Sequence, residues 1–402
     1  MIIVPDRIVF GPKDISPQCT AVRISTSGKV DAIASADILQ KKYPKDDIVS
    51  YPGCTLMPGM IDMHVHLTAP HDPEYEYVEN GQSLCALYTM SRMEQALRNG
   101  VTTIRDAYSS FGIGTALTRA VEDGYITIPR IIPCLRGICM VGGHGSDSIN
   151  GVFQISGPEE GRQRVRENFA GGAKWIKVLT SDAYRGLELS QEELDAIVDE
   201  AHRLGMKAFA HAGYDPSMKM CIQAGFDSIE HGTHLTLEEV QTMKRNDQTW
   251  VPTVFVFNYV YSQVMGDNDS PLFQEFENDS AIAYLQNSVE TYRKNLRTLY
   301  DTGVRIATGT DIDFTDYDIA APVAQECRCL VECGLTPIEA MECATKNGAA
   351  ALGFGDTLGQ IKEGYMADLI LVEGNPAEDI TALQRIRATY QAGKCVFEEA
   401  KA

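Results

Sequence analysis

Two histidines, His64 and His66, stand one residue apart at the end of an apolar run that covers residues 56–66. On a β-strand, successive side chains point to opposite faces, so residues two apart point the same way. The two imidazoles would therefore project together from one strand end, and paired imidazoles are common metal ligands. Because an isolated His-x-His pair also occurs on ordinary surface strands, its meaning depends on further ligands elsewhere in the chain.

Four more side chains suited to a metal centre lie in or at the ends of later apolar runs. They are Lys177 in the run 174–180, His211 at the end of 206–211, His231 at the end of 226–231, and Asp311 after 304–310. His231 is preferred to the nearby His234 because it terminates its run. Each residue alone could equally be a packed or hydrogen-bonded side chain. Their repetition at matching places predicts one metal centre.

The middle of the chain alternates apolar or β-branched runs with helical patterns. The runs cover residues 56–66, 101–105, 130–138, 174–180, 206–211, 226–231, 249–255 and 304–310. Capping boxes formed by Ser190 with Glu193 and by Thr336 with Glu339 mark two helix starts. This α/β pattern predicts a (β/α)8 TIM barrel, whose chemistry lies at the carboxyl ends of the strands. An open doubly wound sheet is the alternative, but no glycine-rich phosphate loop follows an early strand.

The two ends of the chain differ from this middle region. Residues 1–55 contain short strands separated by turns, and residues 364–372 read as a turn followed by a buried strand. Neither end is long enough to form a core alone. We therefore expect a small composite β-sandwich domain formed by residues 1–55 plus 356–402, and a barrel domain formed by residues 56–355.

Composition and charge limit the partners and the cellular compartment that we expect for the protein. A formal net charge of −20 argues against nucleic acid as a partner, because a phosphate backbone requires a basic surface. No signal-peptide pattern is visible at the first residues, and no apolar run approaches the ~18 residues of a membrane span. Eleven cysteines without a disulfide-framework or zinc spacing indicate reduced thiols and a cytoplasmic protein. A small-molecule substrate is the expected partner, and assembly as a homo-oligomer stays open.

These motifs resemble those of the amidohydrolase superfamily, specifically the branch of imidazolonepropionase and the metal-dependent prolidases (Xaa-Pro dipeptidases). Residues 58–66 are similar to the opening motif of that family, residues 309–311 to its closing aspartate, and residues 364–369 to its C-terminal strand. The likeness covers essentially the whole chain. It implies a metal-dependent hydrolase that cleaves a C–N (amide-type) bond of a small substrate.

Within this resemblance, Lys177 indicates a centre of two metal ions. A lysine ammonium has no lone pair, so an unmodified Lys177 would pair with a carboxylate instead of binding metal. The resemblance implies a carboxylated Lys177 that bridges two divalent ions. One ion would then be held by His64, His66 and Asp311, and the other by His211 and His231. Zinc is the default metal for these ligands, and manganese, iron and cobalt also suit them.

The resemblance also implies how the reaction proceeds. A metal-activated hydroxide attacks the carbonyl carbon, while Asp311 acts as the general base and passes the proton to the leaving amine. His144, in the glycine-rich segment 142–146, would contact the scissile carbonyl or the substrate. The other candidate substrate contacts are Tyr214, Tyr259 and, on the first long connection, His71.

Other functions stay open at this point. Related deaminases have a glutamate shortly after the fifth-strand histidine, whereas residues 212–216 after His211 contain none. Related dipeptidases have an arginine there for the substrate carboxylate, and here Pro216 and Ser217 take its place. A neutral or aromatic amide or a lactam is therefore an alternative to a dipeptide. A catalytically inactive barrel is disfavoured because all six ligand positions are filled.

Overall fold

A computed structural model describes residues 1–11, 14–15, 20–68, 81–148, 150–181, 186–266, 279–313 and 320–399. The strands are β1 (Ile2–Gly11), β2 (Asp14–Ile15), β3 (Thr20–Ile24), β4 (Val30–Ser35), β5 (Ile48–Pro58), β6 (Met60–His66), β7 (Val101–Asp106), β8 (Arg130–Ile132), β9 (Gly137–Met140), β10 (Val152–Ile155), β11 (Trp175–Leu179), β12 (Lys207–Ala212), β13 (Ser228–His231), β14 (Thr249–Val251), β15 (Arg305–Ile306), β16 (Ile312–Asp313), β17 (Leu369–Glu373), β18 (Ile386–Gln391) and β19 (Lys394–Glu398). Helices separate most strands of the middle region, and they cover Ala36–Lys42, Gly81–Arg98, Ile113–Glu122, Pro158–Ala170, Gln191–Arg203, Asp215–Ala224, Leu237–Arg245, Val254–Gly266, Asp279–Tyr300, Pro322–Glu332, Pro337–Glu342 and Gly348–Ala351. The protein thus has a mixed α/β fold.

The middle of the chain forms two parallel sheets. Seven strands lie in the order β10-β9-β11-β12-β13-β14-β15, and four lie in the order β16-β6-β7-β8. Helices cover parallel strands on their outer face, so such strands are apolar along their whole length. All five residues of β11 are buried, and they include the charged residue Lys177. A buried ammonium group in such a strand needs a polar or charged partner close by.

Backbone hydrogen bonds link the two parallel sheets at two places. Near β6, the Met63 amide donates to the Thr308 carbonyl at 2.9 Å, and the Asp311 amide donates to the His64 carbonyl at 2.8 Å. Between β8 and β11, the Lys174 amide donates to the carbonyl of Pro133 at 2.8 Å. The first link brings Asp311 beside the end of β6.

Both capping boxes predicted from the sequence are confirmed. The Ser190 side chain accepts the Glu193 amide and the Glu193 side chain accepts the Ser190 amide, at the start of Gln191–Arg203. Thr336 and Glu339 make the same reciprocal pair. Thr236 with Glu239 forms a third capping box, at the start of Leu237–Arg245.

Two of the predicted strand runs are shorter than expected because of proline. The run 249–255 forms a strand only to Val251, since Pro252 has no amide hydrogen for the sheet. A helix begins instead at Val254, where Glu326 accepts the backbone amides of Val254 at 3.1 Å and Phe255 at 2.6 Å. The run 130–138 is likewise divided at Pro133 into β8 and β9.

The strands of both chain ends pair with each other and form one hydrogen-bonded sheet. The order is β19-β18-β17-β5-β1-β3-β4, with β2 paired to β1. The physical reason is β5, which is 11 residues long and pairs with β1 on one edge and β17 on the other. No helix within the described ranges is both long and apolar enough to cross a membrane.

Asp368 connects this sheet to the parallel strands. Its Oδ2 accepts a hydrogen bond from Arg130 Nη1 at 2.9 Å, and its Oδ1 accepts the Ala392 amide at 2.7 Å. The Asp368 side chain is only 4% exposed, and both bonds are partly buried. The Asp368 carbonyl also accepts the Gly59 amide, at the step from β5 to β6.

We expect Asp368→Ala to lower the free energy of unfolding by about 1–3 kcal/mol, because a buried backbone amide loses its acceptor and Arg130 loses its partner. Urea unfolding followed by tryptophan fluorescence measures this change. Glu363→Ala, an exposed carboxylate in the turn before β17, is the control, and its effect should stay within about 0.5 kcal/mol. Equal stability of the two variants would contradict the role given to Asp368.

Candidate metal centre and active site

The end of β6 and the turn after residue 310 bring His64, His66 and Asp311 together. Asp311 Oδ1 lies 3.2 Å from His64 Nε2 and 3.3 Å from His66 Nε2. Ligand atoms of the three residues all lie within 4.8 Å of one another, an arrangement that could hold a metal ion. The position of Asp311 depends on a left-handed backbone conformation, with φ of 51°, which a residue with a side chain seldom adopts.

Asp62 holds this turn in place. Its Oδ1 accepts the backbone amides of Thr310 at 3.0 Å and His64 at 3.2 Å, and its Oδ2 accepts the Thr310 hydroxyl at 2.7 Å. Because Asp62 lies two residues before His64 on the same strand, one side chain fixes both the strand end and the turn that carries Asp311. The strained conformation at Asp311 is therefore maintained by its surroundings.

Lys177 completes this part of the cluster. Its Nζ lies 3.1 Å from His64 Nε2, and the side chain is buried. Burial lowers the pKa of Lys177 to about 8, because the charged ammonium is poorly solvated in the protein interior. The amine of Lys177 thus points at the same space as the carboxylate of Asp311.

His231 and His211 form a second group of imidazoles beside the first. Their ring centroids are 4.5 Å apart, and the His231 ring lies 5.2 Å from that of His64. His231 has a φ of 62°, and its carbonyl accepts hydrogen bonds from Trp250 Nε1 at 2.7 Å and the Tyr292 hydroxyl at 3.0 Å. These two bonds hold the strained end of β13, and hence its imidazole, in place.

The donor atoms of the cluster suit a metal cation. His231 Nδ1 bonds to the Thr253 hydroxyl at 2.8 Å, while His231 Nε2 is buried with no hydrogen-bond partner among the described residues. Burial lowers the pKa of His66 to about 4 and that of His231 well below its usual range, so both imidazoles are neutral near pH 7. Neutral imidazole is the form that binds metals. Neutral imidazoles beside a carboxylate therefore form a group that could hold a metal ion.

Two side chains behind His64 belong to the site, although no sequence motif indicates them. Glu230 Oε2 lies 2.7 Å from His64 Nδ1, and Glu230 Oε1 accepts a hydrogen bond from Arg105 Nη2 at 2.8 Å. Burial alone would raise the pKa of Glu230, but the charge of Arg105 and the bond to His64 lower it to about 2. Strict strand alternation would direct Glu230 away from His231, and the left-handed turn at His231 removes that alternation.

The candidate substrate contacts lie at different places. The His144 ring lies 4.3 Å from the His211 ring, and the His144 amide donates to Glu188 Oε2 at 3.0 Å. Tyr214 precedes the helix Asp215–Ala224, whose first turn bonds to its carbonyl, and its role as a substrate contact stays a prediction. The Tyr259 ring packs 5.9 Å from that of Phe255 on the same helix, and its role also stays a prediction. His71 lies outside the described residues.

His234 is placed apart from the imidazole cluster. Its Nδ1 lies 2.8 Å from the Thr233 hydroxyl and its Nε2 lies 2.9 Å from Asn287 Nδ2.

Tyr108 is a further neighbour of the cluster that sequence patterns do not predict. Its ring lies 4.5 Å from the ring of His66. Tyr108 lies two residues after the end of β7 and has a φ of 133°, a conformation that no sequence motif predicts.

The chain is similar to known proteins over most of its length. The chain is 29% identical over 418 aligned positions to the ochratoxinase of Aspergillus niger, covering 95% of this chain and 83% of the relative. It is 24% identical to the imidazolonepropionase of Streptomyces griseus subsp. griseus, covering 82% of this chain and 80% of the relative. The crystal structure of a Xaa-Pro dipeptidase with bound methionine superposes with a TM-score of 0.84 at 28% identity, covering 99% of both chains. Since the amidohydrolase family matches residues 55–396, the chain belongs to that family and is a hydrolase of carbon–nitrogen bonds.

Proposed function

We propose that the protein is a metal-dependent hydrolase that cleaves an amide-type C–N bond of a small substrate at the cluster around His64. The observation that carries this proposal is the convergence of the ligand atoms of His64, His66 and Asp311 within 4.8 Å of one another. The approach of Lys177 Nζ to 3.1 Å from His64 Nε2 adds a fourth group at the same point. A binding module without catalysis would not need a carboxylate, an amine and neutral imidazoles in one buried space.

The scaffold we propose is a closed (β/α)8 barrel formed by residues 56–355, with a small β domain formed by residues 1–55 plus 356–402. The backbone bonds from Met63 to Thr308 and from Lys174 to Pro133 support closure, since they join the two parallel sheets at two places. The superposition with the Xaa-Pro dipeptidase over nearly the whole chain supports it as well. In such barrels the carboxyl ends of the strands form the active site.

The proposed centre contains two divalent ions, with zinc as the default metal. His64, His66 and Asp311 would hold one ion, His211 and His231 the other, and a carboxylated Lys177 would lie between them. When bound, such ions activate a water molecule and polarise the scissile carbonyl. The orphaned Nε2 of His231 and the neutral imidazole of His66 support this ligand set.

Asp311 is the proposed general base. Its side chain is 23% exposed, unlike the buried His64, so it lies where the cluster opens to solvent and substrate. Its carboxylate would accept a proton from the attacking water and donate it to the leaving amine, which becomes a neutral product. His144, stacked on His211, is the proposed contact for the scissile carbonyl.

For the substrate we propose an amide of an amino acid or a neutral or aromatic amide. Support comes from the relatives, one named ochratoxinase and one named as an Xaa-Pro dipeptidase. Dipeptide cleavage is the second candidate, favoured by the dipeptidase likeness. It is disfavoured by Pro216 and Ser217, which stand where related dipeptidases have a carboxylate-binding arginine.

A panel of N-acyl amino acids, dipeptides, lactams and aryl amides, assayed with defined metal and bicarbonate, tests the proposed reaction. We expect release of free amine from at least one amide class, measured by an amine-reactive dye, and loss of that activity after chelation. Metal analysis should give about two ions per chain. A metal-free protein with no activity toward any amide would contradict the proposal, and release of ammonia from ring amines alone would favour a deaminase.

Lys177→Ala should lose both bound ions and turnover, because the proposed bridge between them is removed. Short carboxylic acids should restore part of the activity, since they can occupy the space of the missing carboxylate. The control is Lys174→Ala, an exposed lysine three residues earlier, which should keep both metal and activity. Full activity of Lys177→Ala without added acid would refute the bridging role.

Asp311→Asn should lower kcat by at least about a hundredfold while most of the metal remains, because the amide oxygen still binds a cation but cannot take a proton. Metal analysis and steady-state kinetics on the same preparation separate the two effects. Asp301→Asn, at an exposed aspartate on a distant helix end, is the control. Retained turnover with retained metal would eliminate Asp311 as the base.

A further inference from the structure

A buried ion pair lies directly behind the proposed metal ligands, and the proposed reaction does not use it. Arg105, in β7, and Glu230, in β13, are both fully buried. Arg105 Nη2 donates to Glu230 Oε1 at 2.8 Å, and the other oxygen of the same carboxylate lies 2.7 Å from His64 Nδ1. Burying two charges is costly, so such pairs persist where they specify a conformation or a function.

Arg105 has almost no freedom to move. Its guanidinium lies over the ring of Phe209, with Cζ 3.9 Å from the centroid, and 4.8 Å from the ring of Trp175. Its Nε donates to the carbonyl of Met63 at 2.6 Å, and its Nη1 donates to the Ser228 hydroxyl at 2.8 Å. The guanidinium is therefore a rigid support that ties β6, β7 and β13 to each other.

The orientation of Glu230 follows from this support. Its Oε1 accepts hydrogen bonds from Arg105 and from the Ser228 hydroxyl, which leaves Oε2 for His64. An ionised carboxylate can only accept hydrogen bonds, so His64 Nδ1 must carry the hydrogen. In the neutral, metal-binding form of His64 the lone pair is then on Nε2, the atom that faces Asp311 and Lys177.

We propose that Arg105 and Glu230 are positioning residues that fix the ring orientation and tautomer of His64, so that its Nε2 is always available as a metal ligand. The inference rests on the proposed ligand role of His64. A carboxylate that accepts the second ring hydrogen of a ligating histidine raises the basicity of that ligand and holds its orientation. Here the carboxylate is in turn oriented by Arg105, so the support extends across three strands.

His231 provides an internal comparison. Its Nδ1 contacts the Thr253 hydroxyl, which can either donate or accept a hydrogen bond and therefore imposes no tautomer. Glu230 imposes one on His64. Removal of Glu230 should therefore change the tautomer of His64 more than removal of the Thr253 hydroxyl changes the tautomer of His231.

The test uses the double variant Arg105→Met/Glu230→Leu, which removes both buried charges together and so leaves no unpaired ion in the core. We expect nitrogen-15 NMR of histidine-labelled, metal-free protein to show His64 with hydrogen on Nδ1 in the wild type and a mixture of tautomers in the variant. Assignment comes from the signal lost in His64→Gln. We also expect affinity for Co²⁺, measured against a chelating dye, to fall about ten- to a hundredfold.

Two further variants keep the result interpretable. Glu230→Gln retains a group that can accept or donate, so it should give a smaller loss of affinity than the double variant. Arg130→Met/Asp368→Leu removes a different ion pair and should leave both the His64 tautomer and the Co²⁺ affinity unchanged. An unchanged tautomer in the folded double variant, whether or not its stability falls, overturns the proposal. A wild type that binds no divalent ion would instead overturn the proposed function.

Discussion

The site depends on one constraint, which is that a charge inside a protein must be paired. Lys177, Arg105 and Glu230 are almost completely buried within the parallel sheets. Glu230 is paired with Arg105, and Lys177 faces a histidine that is itself next to Asp311. Unpaired, any of these charges would cost several kcal/mol of stability. The Arg105–Glu230 pair, with its bonds to Met63 and His64, therefore holds β6, β7 and β13 in one fixed arrangement.

Strained backbone also occurs at the strand ends that carry the cluster. His231, Thr253 and Asp311 all have φ values between 50° and 62°. Such conformations cost roughly 1–3 kcal/mol each and persist only where neighbours hold them. Asp62 does so for Asp311, and the Trp250 and Tyr292 hydrogen bonds do so for the His231 carbonyl. These hydrogen bonds therefore stabilise the strained backbone that orients the side chains of Asp311 and His231.

Much of the fold could be predicted from sequence because the elements follow local rules. The strand runs and the capping boxes at Ser190 and Thr336 depend on residues close to each other in the chain. The approach of His64, His66 and Asp311 could be predicted because parallel strands end at the same face. The terminal strands were expected to pair, but the single sheet depends on the two-sided pairing of β5, which no local pattern specifies.

The residues that support the ligands could not be predicted, for a physical reason. Glu230 directs its carboxylate to His64 across 166 positions of sequence, and Arg105 reaches Glu230 across 125. In sequence, both are charged residues within apolar strands, with no spacing that relates them. A left-handed turn at His231 also removes the alternation that would have placed Glu230 on the opposite face. Local sequence patterns do not predict long-range pairs or strained turns, and such features are common at functional sites.

The proposed centre and the connections around it are held in different ways. His64 and His66 lie at a strand end that a buried ion pair supports, whereas His144 lies on a connection where its amide donates to Glu188 Oε2. A change in such a connection alters what can reach the cluster without disturbing the charges that hold it. The scaffold alone therefore does not decide which substrate reaches the cluster, because one fold can support many different functions.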